Sequence, residues 1–381
     1  MNTFSRRNFV SNVVVLTAAL AAAVPALAHR DHESDRDYHE RHSYREGKVF
    51  ISTNAPGNNE LLVLAPDDTG SLSLVKRVAT NGQGTGAGLG SQGAVTLSTN
   101  GRYAFVVNAA SNTVSTFALG RNSVELTSAV DSGGLQPISV TEYEGIVYVL
   151  NAGGSGNVAG FRNTHGQLRP LHDGVRALSA AGGTNAAQVG FGADGEVLVV
   201  TEKATNSITS YNVRRNGTLS QPIVTPSSGQ TPFGFAFDKR DYLIVSEATA
   251  SGASSYRFPE TGPAMAQLIS ASVPNTQGAA CWVVTTPNGR YAYTTNAATS
   301  TLSSYRIARS GSIELANAVA GTTGVNAGAL DMAVTPDGEQ LYAFAHRSLQ
   351  IVSFSVKHNG DLTRLGASSA IPSGSAGLAA N

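Results

Sequence analysis

The sequence predicts an all-β fold, namely a seven-bladed β-propeller whose blades are four-stranded antiparallel sheets. One strand-forming phrase recurs seven times, at intervals of 43 to 54 residues. The chain also contains 41 glycines, and only 14 % of its residues are charged. Repeats of roughly 40 to 50 residues that each hold several short strands are typical of propeller blades. Short alternating runs joined by glycine turns, without a helical period, favour the same fold.

The recurring phrase is a turn built on Asn-Gly, Asp-Gly or a similar pair, followed by an apolar β-run. Residues 100–108, which read NGRYAFVVN, are a clear example. A short run before each turn and two alternating runs after it complete four strands per repeat. The seven central runs close at Asn54, Asn108, Asn151, Glu202, Glu247, Asn296 and Ala345.

The first repeat begins at its second strand, because residues 49–54 have no inner run before them. The small-residue segment 373–380 has the character of an inner strand. We expect it to complete the first blade and close the ring, which removes the exposed edges of an open sheet. The propeller domain is therefore predicted to span residues 48–381.

Residues 1–28 have the three parts of a cleavable signal peptide. Arg6 and Arg7 precede an apolar run, and residues 26–28 read Ala-Leu-Ala. The arginine pair indicates a twin-arginine signal, and an ordinary secretory signal with two chance arginines is the alternative. The apolar run is too short for a stable membrane anchor. The mature chain is therefore predicted to be periplasmic or secreted, without an integral membrane segment.

Residues 29–47 are rich in His, Arg, Asp and Glu and contain almost no apolar residue. Such a segment cannot form a core, so it is predicted to be a disordered lead-in. Its histidines suggest a metal-binding role as one interpretation and a solvated tail as the other. These histidines are His29, His32, His39 and His42.

Composition excludes several classes of function. The chain has 26 basic and 26 acidic residues, so it has no positive surplus for nucleic acid. Its single cysteine, Cys281, excludes an intramolecular disulfide and a cysteine-based metal site. No phosphate loop, dinucleotide fingerprint or zinc-protease motif is found, so no cofactor and no metal is expected in the propeller.

Polar residues are expected to gather at one mouth of the central channel. The second strand of each blade returns toward the face where the inner strand begins, which predicts that Glu202 and Glu247 lie there with the closing asparagines. Alternation along the inner strands places Gln188, Trp282 and Asp331 near the same mouth. Carboxylates, an amide and an aromatic wall are typical of a small-molecule pocket. Turn capping is the alternative for the asparagines, and bonding to turn amides is the alternative for Asp331.

The repeats, their Asn/Asp-Gly-x-Tyr-x-Tyr/Phe-Val phrase and the strand-completing C-terminus resemble the lactonase family of seven-bladed propellers. That family includes bacterial 6-phosphogluconolactonases and fungal carboxymuconate cyclases, and the phrase is also similar to YVTN-type propellers. The family's Gly-Pro-Arg-His falls on residues 185–188, where Ala187 and Gln188 replace Arg and His. The Glu of its Asn-Glu pair is kept as Glu202. A later family Arg falls on Val284 and is lost.

The resemblance implies hydrolysis of a lactone. Because the cationic residues are missing, a neutral, gluconolactone-like sugar lactone is the expected ligand at the channel mouth. Glu202, helped by Asp331 or Glu247, is expected to act as general base on water. The residues expected to bind the substrate are Gln188, Trp282, Asn108, Asn151 and Asn296. The alternative is a non-catalytic propeller that binds a small ligand or a protein partner in the cell envelope.

Overall fold

The computed structural model describes residues 47–381, which form seven four-stranded antiparallel sheets arranged as the blades of a ring. The all-β propeller prediction is confirmed. The predicted signal peptide, residues 1–28, and residues 29–46 of the predicted lead-in lie outside the described residues. Within residues 47–381, no helix is long and apolar enough to cross a membrane.

The strands follow the chain from the inner to the outer edge of each blade, except in blade 1, whose inner strand is β28. Blade 1 contains β28 (Ala376–Ala380), β1 (Val49–Ser52), β2 (Glu60–Pro66) and β3 (Leu72–Ala79). Blade 2 contains β4 (Val95–Leu97), β5 (Tyr103–Asn108), β6 (Thr113–Leu119) and β7 (Val124–Asp131). Blade 3 contains β8 (Pro137–Tyr143), β9 (Ile146–Asn151), β10 (Asn157–Thr164) and β11 (Gln167–Ala177).

The remaining four blades have the same order. Blade 4 contains β12 (Ala186–Phe191), β13 (Val197–Glu202), β14 (Ser207–Asn212) and β15 (Ile223–Pro226). Blade 5 contains β16 (Pro232–Phe237), β17 (Leu243–Glu247), β18 (Gly252–Arg257) and β19 (Gln267–Pro274). Blade 6 contains β20 (Ala280–Thr285), β21 (Tyr291–Asn296), β22 (Thr301–Ile307) and β23 (Ile313–Thr322). Blade 7 contains β24 (Met332–Val334), β25 (Gln340–Ala345), β26 (Gln350–Val356) and β27 (Leu362–Ala367).

The C-terminal strand closes the ring as predicted. Strand β28 pairs antiparallel with β1, with Phe50 opposite Ala379 and Ile51 opposite Leu378. The side chain of Leu378 belongs to an apolar cluster with Ile51 and with Phe344 of blade 7. Both ends of the propeller therefore lie in blade 1, and the closing strand also packs against the last blade.

Glycine turns allow neighbouring blades to pack closely. Gly311, in the hairpin between β22 and β23, has a φ of +83°, and a Cβ there would overlap the ring of Tyr242 in blade 5. Gly360 of blade 7 packs in the same way on Tyr291 of blade 6, where a Cβ would lie 2.6 Å from the ring. The sequence needs glycine at these hairpins because the turn requires positive φ and the neighbouring tyrosine leaves no room for a side chain.

Candidate functional site

We call the face where the inner strands begin the upper face and the face where they end the lower face. The residues that close the second strands lie at the upper side, but inside the blades. Four of them bond to a hydroxyl seven positions further along the chain, on the third strand. These pairs are Asn108–Ser115 at 2.8 Å, Glu202–Thr209 at 2.7 Å, Glu247–Ser254 at 2.6 Å and Asn296–Ser303 at 2.9 Å.

Glu202 does not face the channel, contrary to the prediction from the strand pattern. Its side chain is fully buried. Its two carboxylate oxygens accept hydrogen bonds from the Ser179 backbone N–H at 3.0 Å, from the Ser179 hydroxyl, from Thr205 at 2.8 Å and from Thr209. A carboxylate with four donors inside the blade is positioned to hold the loops of blade 4 together.

Glu247 and the asparagines have the same buried setting, so their predicted position at the channel mouth is also wrong. Glu247 is fully buried and accepts a bond from the Gly229 N–H at 2.7 Å. Asn108, Asn151 and Asn296 are fully buried too, and the Asn151 amide donates to the Ser132 carbonyl oxygen at 3.0 Å. The physical reason is that the inner strand and its preceding loop separate the end of the second strand from the channel.

A glycine-rich loop crosses the upper end of the channel. Residues 82–93, which we call the 82–93 loop, read GQGTGAGLGSQG. The Ser91 hydroxyl donates to the Ile138 carbonyl oxygen of blade 3 at 2.8 Å, and the Gln92 N–H donates to that of Ala187 in blade 4 at 3.1 Å. The Gln92 amide group bonds both backbone groups of Val283 in blade 6, at 2.7 and 2.9 Å. Because blade 6 lies across the ring from blade 2, these contacts place the loop over the channel axis.

Four side chains lie beneath or beside this loop. The Trp282 indole N–H donates to the Ser91 carbonyl oxygen at 3.0 Å, and its ring lies 4.8 Å from that of Phe233. Lys203 Nζ lies 4.9 Å from the centre of the Phe233 ring and donates to the Gly90 carbonyl oxygen at 2.6 Å. Asp331 Oδ2 accepts a bond from the Gly377 N–H at 2.9 Å. We call Lys203, Phe233, Trp282 and Asp331 the upper cluster.

Burial changes the acidity of two members of the upper cluster. It raises the pKa of Asp331 to about 7, although the Gly377 N–H and the nearby Trp282 indole partly oppose this effect. It lowers the pKa of Lys203 to about 8. Asp331 can therefore take up or release a proton near neutral pH, which is the property expected of a general base. The turn-bonding interpretation also has support, because the backbone of Gly377 does bond to this carboxylate.

Sequence reasoning missed the 82–93 loop, Lys203 and Phe233. Lys203 directly follows Glu202, and the repeat pattern singles out Glu202, which closes the second strand, but not Lys203. The six glycines of the loop were visible in the sequence and could have marked it as a segment that approaches other backbone closely. Neither signal indicates which blade the loop reaches, because that depends on the closed ring.

Below the loop the channel contains a cavity of about 400 Å³. All seven inner strands contribute to it, and it reaches the last residue of six of them at the lower face. Gln188 is the one predicted site residue in its lining, whereas Trp282 and Asp331 lie outside it. Within residues 47–381, no group of three or more His, Cys, Asp or Glu residues is arranged to hold a metal ion.

The sequence matches the family described as "Lactonase, 7-bladed beta-propeller" over residues 155–274 and 263–377. No protein of curated function matches the chain. Its fold is similar to a protein from Bacteroides fragilis provisionally assigned as a 6-phosphogluconolactonase, at 16 % identity and a TM-score of 0.68, over 89 % of this chain and 99 % of that one. It is also similar to the periplasmic gluconolactonase of Pseudomonas aeruginosa, at 14 % identity and a TM-score of 0.68, over 87 % and 98 % of the two chains. At these identities the likeness establishes the fold.

Proposed function

Because the chain belongs to the lactonase family of seven-bladed β-propellers, we propose that it hydrolyses a neutral sugar lactone with Asp331 as the general base. The observation that carries this proposal is the buried Asp331 carboxyl group beside Trp282, with a pKa raised to about 7. The gluconolactonase activity in the name of the Pseudomonas aeruginosa neighbour supports the substrate class.

In this mechanism the Asp331 carboxylate takes a proton from water as the water oxygen attacks the lactone carbonyl carbon. The bond from that carbon to the ring oxygen then breaks, and the ring oxygen receives the proton, which yields the open hydroxy acid. Trp282 and Phe233 offer apolar faces to a sugar ring. Lys203 adds positive charge to the same wall below a pH of about 8, in a chain that lacks the family's Arg and His.

Access to Asp331 requires displacement of the 82–93 loop. Asp331 has only 4 % of its surface exposed, and Trp282 beside it bonds to the loop at Ser91. We therefore propose that substrate enters from the upper face when this loop moves. Glu202 and Glu247 act in this proposal as buried supports of the loops around the site.

The test is hydrolysis of glucono-δ-lactone, followed by base consumption at constant pH and corrected for the spontaneous reaction. The wild-type rate should rise as the pH increases through about 7, because Asp331 acts as the ionised base. Asp331→Asn should lower the rate about 100-fold or more. Glu60→Gln, at a partly exposed ion pair with Arg77, is the matched control and should behave as wild type. An Asp331→Asn protein with wild-type activity would exclude this base.

Binding without turnover is the second candidate. It is favoured by the burial of Glu202 and by the replacement of the family's Arg and His with Ala187 and Gln188. In that case the upper cluster holds a sugar-like ligand or a protein partner, and the wild-type rate equals the spontaneous rate on a panel of lactones. For either function we propose export, on the basis of the predicted signal peptide and the periplasmic neighbour.

A further inference from the structure

We propose that the lower part of the central channel is a second binding site, separate from the upper cluster, for an uncharged and largely apolar small molecule. The cavity of about 400 Å³ has the size of known small-molecule sites, which range from about 300 to 1,000 Å³. This inference does not depend on lactone hydrolysis.

The 82–93 loop bounds the cavity at its upper end. Gln92 and Gly93 of the 82–93 loop belong to its lining. The Gln92 side-chain amide donates to the Val283 carbonyl oxygen and accepts from the Val283 N–H, and the Gln92 backbone N–H donates to the Ala187 carbonyl oxygen. A ligand would therefore enter from the lower face and stop at Gln92, without reaching Asp331.

Most polar side chains of the wall bond to backbone groups of other blades. The Gln188 amide group bonds the backbone carbonyl oxygen and N–H of Phe235 at 3.0 and 2.7 Å. Thr96 donates to the Val140 carbonyl oxygen at 2.7 Å, and Thr285 donates to that of Phe237 at 2.8 Å. These bonds occupy polar side chains that would otherwise bind water, so the polar groups that remain for water or a ligand are mainly those of the unpaired backbone edges of the inner strands.

The lining also selects against charge. None of the residues that line the cavity is an Asp, Glu, Lys, Arg or His. A charged ligand would lose hydration there without gaining a counter-charge, which is unfavourable. Phe191 and Phe237 are partly exposed and give the lining aromatic surface, and the Phe237 ring lies edge-on at 6.1 Å from the ring of the buried Phe235. Thr141 also belongs to the lining, and its hydroxyl is the group we expect to bond one polar group of the ligand.

The probe for this site is N-phenyl-1-naphthylamine, which is uncharged, aromatic and fluorescent in apolar surroundings. We expect saturable binding with one probe per chain. Thr141→Asp, which places a carboxylate in the wall, should weaken binding about tenfold or more. Thr141→Val should stay within about threefold of wild type. Thr363→Asp adds the same charge on the exposed outer strand β27 and should have no effect.

Each variant is first checked for a wild-type melting transition. Binding that does not saturate, or equal affinities for Thr141→Asp and Thr363→Asp, would overturn the site and indicate a channel that holds only water. If Thr141→Asp does not fold, the probe affinity of Thr141→Val provides the test, because a tenfold loss of affinity in that variant would also contradict the proposal. Asp331→Asn should bind the probe as wild type does, so failure of the lactonase proposal is distinguishable from failure of this one.

Discussion

At the residue scale, the closing Asn and Glu of the second strands act as hydrogen-bond centres inside the blades. Each occupies one repeat position, and each is paired with a Ser or Thr seven residues later in blades 2, 4, 5 and 6. The antiparallel pairing places the residue five positions later directly opposite, and the residue seven positions later is the next one along the third strand on the same face of the sheet. The recurrence of a polar residue at this repeat position is therefore accounted for by a structural hydrogen bond, without a catalytic role.

Glu202→Ala should lower the free energy of unfolding by about 2 to 4 kcal/mol, because the buried Thr209 hydroxyl and the less buried donors of Ser179 and Thr205 lose their acceptor. Chemical denaturation measures this change. Glu60→Ala, which removes a surface ion pair, is the control and should cost about 1 kcal/mol or less.

The activity of the same Glu202→Ala protein tests its predicted catalytic role. If Glu202 is a structural support, the folded fraction should keep its specific rate of lactone hydrolysis. Unchanged stability together with a lost rate would instead favour Glu202 as the base. Asp331→Asn, measured beside it, shows which of the two carboxylates controls the pH dependence.

At the element scale, the 82–93 loop depends on the absence of side chains at particular positions. A Cβ at Gly84 would overlap the backbone carbonyl group of Asn54, whereas a Cβ at Gly88 would meet no described atom within 4 Å. Gly84 is buried and Gly88 is exposed. The first glycine is therefore required by close approach of two backbones, and the second is not.

Gly84→Ala should displace the 82–93 loop, and Gly88→Ala should not. The single tryptophan of the chain, Trp282, reports the difference because its indole N–H bonds to Ser91 in the loop. We expect red-shifted emission and stronger acrylamide quenching in Gly84→Ala only. Identical spectra for the two variants would show that the loop tolerates the added methyl group without moving.

At the scale of the whole molecule, stability depends on closure of the ring. Strand β28 covers the edge of β1, and its side chains take part in three apolar clusters. Its removal exposes both a strand edge and apolar surface at the junction between the first and last blades. Since neighbouring blades support each other around the ring, the loss should affect the entire propeller.

Deletion of residues 372–381 should lower the melting temperature by about 10 °C or more and keep unfolding a single transition. Differential scanning calorimetry measures both quantities. A synthetic peptide of residues 372–381 should restore part of the loss by pairing with β1, and a scrambled peptide should not. An unchanged melting temperature would show that β28 is dispensable.

The sequence by itself determined the propeller, the number of blades and the closing strand. Local patterns predict these properties, namely strand alternation, Asn-Gly turns and a repeat of regular length. The position of Gln188 in the channel also follows from such a pattern, because it lies on an inner strand.

Only the tertiary structure decided which polar residues face the channel. Glu202 and Glu247 were predicted at its mouth from the direction of their strands, but direction does not indicate how far a strand end lies from the axis. The 82–93 loop joins residues nearly two hundred positions apart, as in the bond between Trp282 and Ser91. A contact of that kind depends on how the ring closes, so no local pattern in the sequence could reveal it.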